Sequence, residues 1–132
     1  MTQGVIRATG WIVLWALLFW ISRANHPTPG LNIAATSIMV CAAIATYWAI
    51  SIVGKGVTPA LKFAFVIVCI LCGGIVAALA IHAVYDVAIG PDPRRFGLVT
   101  NIGMDTAVVA ALVALMSGLD WCLRRIRNAN QR

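Results

Sequence analysis

Three ionisable residues in the second half of the chain have types and spacing that could handle protons or ions. His82 and Asp86 are four residues apart, which places both side chains on one face of a helix. Asp105 follows after a connection rich in Gly and Pro, so the three side chains could meet. Ionisable groups inside apolar segments are typical of proton and ion paths in membranes. The spacing therefore supports the hypothesis of a proton- or ion-coupled site.

The depth of these residues favours a simpler role. Lys62 and Asp86 are 24 residues apart, or about 36 Å of helix. Asp105 and Arg124 are 19 residues apart, or about 28 Å. Both carboxylates would then lie near one membrane interface, with His82 about one turn inside it. We expect the cluster mainly to tie two helix ends together, and ion handling is the alternative.

Other chemistry-bearing residues indicate no catalytic site. Cys69 and Cys72 form a C-x-x-C pattern within an apolar run, where cysteine is an ordinary small apolar residue. The sequence contains no Glu and no phosphate-binding loop, and His82 alone within a span cannot supply two haem ligands. Asp120 and Arg124 have the order and spacing of an ion pair within one helix. We therefore predict neither an enzyme nor a metal site, and the cofactor, if one exists, stays unidentified.

The composition indicates an all-α membrane protein. The 132 residues are 61% hydrophobic and 11% charged, whereas soluble domains average roughly 45–50% and 25%. Four apolar segments are long enough to cross a bilayer, at about residues 5–22, 31–53, 60–87 and 96–123. With short connections they predict an antiparallel up-down bundle in one integral membrane domain, followed by a basic tail at 124–132.

The basic residues predict orientation rather than nucleic-acid binding. The net charge is +6, and Lys and Arg lie at the ends of the apolar segments. Four spans place seven basic residues on the side of the termini and three on the other side. The seven are Arg7, Lys55, Lys62, Arg124, Arg125, Arg127 and Arg132, and the three are Arg23, Arg94 and Arg95. Because Lys and Arg are retained in the cytoplasm, we expect both termini there, in a bacterial inner membrane.

Small residues at intervals of about four predict where helices pack closely, since small side chains let backbones approach in lipid. The last three spans carry such stripes, whereas the first is rich in Trp and is expected to face lipid or a partner. The candidate packing residues are Ser37, Cys41, Ala45, Gly73, Gly74, Ala77, Ala111 and Gly118.

These features favour a small non-catalytic membrane subunit. It would pack against or stabilise a larger respiratory, photosynthetic, transport or secretion complex. Its partners would be the lipid bilayer and either other membrane subunits or further copies of itself. One alternative is a self-oligomerising pore former similar to phage holins, which are also small and end in a basic tail. The other is a small proton- or ion-coupled transporter that uses His82, Asp86 and Asp105.

Overall fold

The computed structural model describes residues 2–26, 28–52, 57–90 and 97–131, and these residues form a bundle of four helices. The helices are α1 (Gln3–Ser22), α2 (Pro29–Ile52), α3 (Pro59–Ile89) and α4 (Leu98–Asn130), with one 3-10 turn at Arg23–Asn25. The prediction of an all-helical chain is confirmed, and all four helices are long and apolar enough to cross a membrane. Outside the described residues lie Lys55, Arg94, Arg95 and Arg132 and the predicted span ends at positions 53 and 96.

Local sequence explains where α3 begins and ends. Thr58 precedes the helix in an extended conformation, and its hydroxyl accepts a hydrogen bond from the Leu61 N–H. Pro59 occupies the first turn, where its missing N–H costs no helical hydrogen bond. Gly90 ends the helix with a φ of 74°, a conformation that glycine adopts without steric cost. Its N–H donates to the Asp86 carbonyl and satisfies part of the helix terminus.

The core is formed by α2, α3 and α4, and α1 packs against its side. The buried core side chains are Met39, Val40, Ala43, Ala77, Val109, Leu112 and Val113. On α1, Trp11 contacts the Tyr47 ring edge-on and Trp15 donates its Nε1–H to the Ser37 hydroxyl at 3.2 Å. Only Trp20 fits the expectation of an outward-facing aromatic, with 61% of its surface exposed. Helix α1 is therefore part of the bundle, although none of its residues is fully buried.

The stripe of small residues on α3 lies against both neighbouring helices. Ala77 is fully buried. A Cβ atom added at Gly74 would lie 2.5 Å from the Thr106 Cα, and one added at Gly73 would fall on the Thr46 side chain. These residues let α3 approach α2 and α4 more closely than larger side chains would allow.

The remaining candidate packing residues lie elsewhere. Ser37 contacts α1 through the Trp15 hydrogen bond. Cys41 and Ala45 on α2, and Ala111 and Gly118 on α4, are exposed on the single chain. No helix in the described part of the chain covers these four residues. That they contact another protein chain in an assembly stays a prediction.

Candidate functional site

A cavity of about 560 Å³ lies in the half of the bundle that holds the turn between α1 and α2. We call it the Asp105 cavity. All four helices line it, because it lies between the end of α1, the start of α2, the end of α3 and the start of α4. Its lining residues are Leu18, Ser22, Ala24, Asn25, His26, Ala35, Thr36, Met39, Ala78, Ile81, His82, Tyr85, Ile89, Asn101, Met104, Asp105 and Val108.

Asp105 is the one Asp, Glu, Lys or Arg among the described residues of this lining. Its side chain is half-buried, and it has no hydrogen bond or ion pair with any residue that the structure describes. A carboxylate taken out of water without a partner is costly. The position next to Asp105 is therefore the part of the cavity where a positively charged group would be most favourable.

His82 and Asp86 lie together, as their spacing requires, but they differ in their relation to the cavity. The His82 Nε2 lies 3.4 Å from the Asp86 Oδ2. His82 lines the cavity, whereas Asp86 is exposed and does not. The His82 Nδ1 is buried and has no hydrogen-bond partner among the described residues. The structure thus brings two members of the predicted cluster, His82 and Asp105, to one cavity and leaves Asp86 beside it.

His26 and Tyr85 form a polar contact at the same end that sequence reasoning missed. The His26 Nδ1 and the Tyr85 hydroxyl are hydrogen-bonded, and their ring centroids are 5.7 Å apart. Burial lowers the pKa of His26, because the charged imidazolium loses hydration. The neutral ring can accept a hydrogen bond from the Tyr85 hydroxyl at Nδ1. The two residues are 59 positions apart, so helix periodicity could not relate them.

A second missed group joins the end of α1 to the start of α2. The Ser22 Oγ lies 2.9 Å from the Asn32 Oδ1, which also accepts from the Thr36 hydroxyl at 3.3 Å. The Asn32 amide donates to the Phe19 carbonyl at 3.0 Å. Asn32 and Thr36 are both buried. An Asn at the start of an apolar segment is the sequence signal that could have pointed to this network, because buried amides need partners.

At the other end of the bundle, the ion pair predicted within α4 is wrong. The Asp120 Oδ1 accepts a hydrogen bond from the Arg7 Nε at 2.7 Å, and Arg124 is exposed. Asp120 is only 6% exposed because it lies on the buried face of α4. The geometry of a single helix cannot reveal a cation that arrives from another helix, which is why the spacing rule selected Arg124.

The cysteines form no site in the described part of the chain. Cys41, Cys69, Cys72 and Cys122 are free thiols, and only Cys69 is partly covered. Among the described residues, no three His, Cys, Asp or Glu side chains are placed to hold a metal ion.

The Asp105 cavity combines a mostly apolar wall with a few polar groups. The wall includes Met39, Ile81 and Val108, and the polar groups include His82 and Asp105. Apolar pockets of about 300–1,000 Å³ with a few placed polar groups are typical binding sites for small molecules. Comparisons with protein family models, curated proteins and solved structures found no match to this chain.

Proposed function

We propose that this chain is an integral membrane protein whose four helices cross the bilayer in alternating directions. Contacts between helices support the antiparallel order. Ser22 of α1 contacts Asn32 of α2, and Trp15 of α1 contacts Ser37 of α2. Residue numbers therefore decrease along α1 in the direction in which they increase along α2. Arg7 near the start of α1 contacts Asp120 near the end of α4. The seven-to-three division of basic residues supports a cytoplasmic location for both termini, in a bacterial inner membrane.

Within the membrane, we propose that it acts as a small non-catalytic subunit that packs against a larger complex. The observation that carries this proposal is a stripe of small, exposed residues along α4. The stripe consists of Gly103, Ala107, Ala111, Ala114 and Gly118. At 100° per residue, it lies opposite the buried face of α4, which consists of Val109, Leu112, Val113, Met116 and Asp120. We call it the α4 stripe.

The form of the α4 stripe supports contact with another helix rather than with lipid. A Cβ atom added at Gly103 or Gly118 would meet no other atom of the described chain within 4 Å. At 100° per residue, the larger exposed side chains Met104 and Leu115 border the stripe on one side, and Trp121 lies in line with it beyond Gly118. Lipid provides no hydrophobic drive for helix association. Helices in membranes therefore associate where small residues allow close backbone contact.

The test is site-specific photocrosslinking in native membranes. A crosslinking amino acid at Ala111 should trap a partner membrane protein in a discrete product. The same group at Ala16, which is exposed on α1, should give lipid adducts only. The paired substitution Ala111→Leu with Gly118→Leu should remove the complex on native gels, whereas Ala16→Leu should leave it intact.

Two outcomes would contradict the subunit role. Crosslinks from Ala111 solely to other copies of this chain would favour the holin-like pore former. An unchanged complex after both leucine substitutions would show that the α4 stripe faces lipid.

One observation favours a second candidate, a small proton- or ion-coupled transporter. His82 and Asp105 line the same cavity, so two ionisable groups could share one ion or substrate. The test is proton or ion flux in vesicles that contain the purified chain. His82→Ala combined with Asp105→Asn should abolish flux without changing assembly if the candidate is right. Absence of flux with the unaltered chain would exclude it.

A further inference from the structure

The charged residue in the Asp105 cavity indicates the sign of the charge that a ligand would carry. Asp105 is the one Asp, Glu, Lys or Arg among the described residues of the lining. It has no partner among the described residues, and the described residues of the lining include no Lys or Arg. An anion would therefore meet an uncompensated carboxylate in a site of low polarity, whereas a cation would neutralise it.

The rest of the cavity wall indicates that the uncharged part of the ligand would be apolar. Most of the lining side chains are apolar, among them Leu18, Met39, Ala78, Ile81 and Val108. A small inorganic cation would keep its hydration shell and gain nothing from this wall. An organic cation would bury its apolar body there, at roughly 25 cal/mol for each Å² removed from water. At about 560 Å³ the cavity is large enough for a molecule of drug size.

We propose that the Asp105 cavity binds an amphipathic organic cation. Asp105 acts as the counter-ion of the positive head, and the apolar body lies between α2, α3 and α4 near Met39, Ile81 and Val108. Ser22, at the end of α1, adds a polar group to the lining. Binding needs only the single chain, so the inference does not depend on the subunit role.

The test uses two probes of the same shape and opposite charge, tetraphenylphosphonium and tetraphenylborate. Equilibrium dialysis against the purified full chain in a neutral detergent should show saturable binding of the cation at one site. The anion should bind at least about tenfold more weakly. A carboxylate in a partly buried site attracts the cation and repels the anion, so their binding free energies should differ by more than about 1.4 kcal/mol. Equal binding of both probes, or no saturable binding of the cation, would overturn the proposal.

Three variants assign the binding to Asp105. Asp105→Asn keeps the size of the side chain and should weaken cation binding by about tenfold or more. Asp105→Glu keeps the charge and should retain binding within about threefold. Asp86→Asn is the matched control, because this carboxylate is near the cavity but does not line it, and it should also remain within about threefold.

Circular dichroism and gel filtration identify any variant that has not folded. If Asp105→Asn does not fold, the test is the difference in affinity between the cationic and the anionic probe, measured with the unaltered chain and with Asp105→Glu. Unchanged binding in folded Asp105→Asn would overturn the proposal. An equal loss in Asp86→Asn would overturn it too, because the attraction would then come from the general field of that end of the bundle.

Discussion

Asp120 and Arg7 illustrate how a single carboxylate can connect two helices that are distant in sequence. Asp120 lies on the buried face of α4, and Arg7 reaches it from α1 with an Nε to Oδ1 distance of 2.7 Å. Arg7 is partly exposed, so water screens the pair to some extent. A buried carboxylate that loses its cation still keeps its desolvation cost. Loss of the Arg7 side chain should therefore measurably lower the stability of the fold.

We predict that Arg7→Gln lowers the free energy of unfolding by about 1–2 kcal/mol, a value reduced from that of a fully buried pair because Arg7 is partly exposed. Arg124→Gln is the matched control and should change it by less than about 0.5 kcal/mol. The measurement is thermal or denaturant unfolding in detergent. A double-mutant cycle with Asp120→Asn should give a coupling energy of about 1 kcal/mol. Equal effects of the two Arg substitutions would contradict the assignment of Arg7.

His26 makes a residue-scale prediction about pH. Burial holds the pKa of His26 below the value of about 6.5 that it has in the unfolded chain. The unfolded chain therefore binds a proton more readily as the pH falls through 6.5, and stability decreases with falling pH until the folded-state pKa is reached. The contact with the Tyr85 hydroxyl at Nδ1 is also lost if that nitrogen becomes protonated.

The corresponding measurement compares Tm at pH 7.5 and pH 5.5. We expect the unaltered chain to lose more in Tm than His26→Gln over this interval. Other titrating groups affect both proteins alike, so the difference isolates His26. A Tm of the unaltered chain that rises on acidification relative to the variant would contradict the sign.

At the scale of the helices, most elements could be predicted but few of their contacts. The apolar segments predicted four helices, because a bilayer span needs about 20 apolar residues, and Thr58, Pro59 and Gly90 have the residue types that bound α3. The cavity could not be predicted, because Asp105 and His26 come together only through helix packing. Periodicity relates residues within one helix and leaves the rotation of each helix about its axis undetermined.

Gly74 offers a prediction about that packing. Gly74→Ala should destabilise the bundle by about 1–3 kcal/mol, because the added Cβ would lie 2.5 Å from the Thr106 Cα, and two backbones would have to separate. Gly103→Ala is the matched control, since an added Cβ there meets nothing within 4 Å. It should be neutral or stabilising by up to about 1 kcal/mol from helix propensity. Thermal unfolding in detergent separates the two, and equal effects would contradict the close contact between α3 and α4.

At the scale of the whole molecule, the chain divides into two ends with different chemistry. One end holds the start of α1, the Arg7–Asp120 ion pair and the basic last turns of α4. The other end holds the Asp105 cavity, with its carboxylate, imidazoles and hydroxyl groups. Between them lies the apolar core around Ala43 and Val109. In the proposed orientation, the basic end faces the cytoplasm and the cavity faces the opposite side of the membrane.

This orientation predicts that labels at the two ends report opposite sides. Cys122 is exposed near the end of α4, and a chain that keeps it as its single cysteine should react with an impermeant maleimide in inside-out vesicles but not in intact cells. A chain whose single cysteine replaces exposed Gly97, before α4, should show the reverse. The reason is the larger number of Lys and Arg residues at the end of the termini, which resist translocation.

Replacing Arg124, Arg125 and Arg127 by Gln would leave four basic residues against three, so part of the population should insert with the opposite orientation. Labelling of Cys122 from outside intact cells in the unaltered background would show that the termini are external.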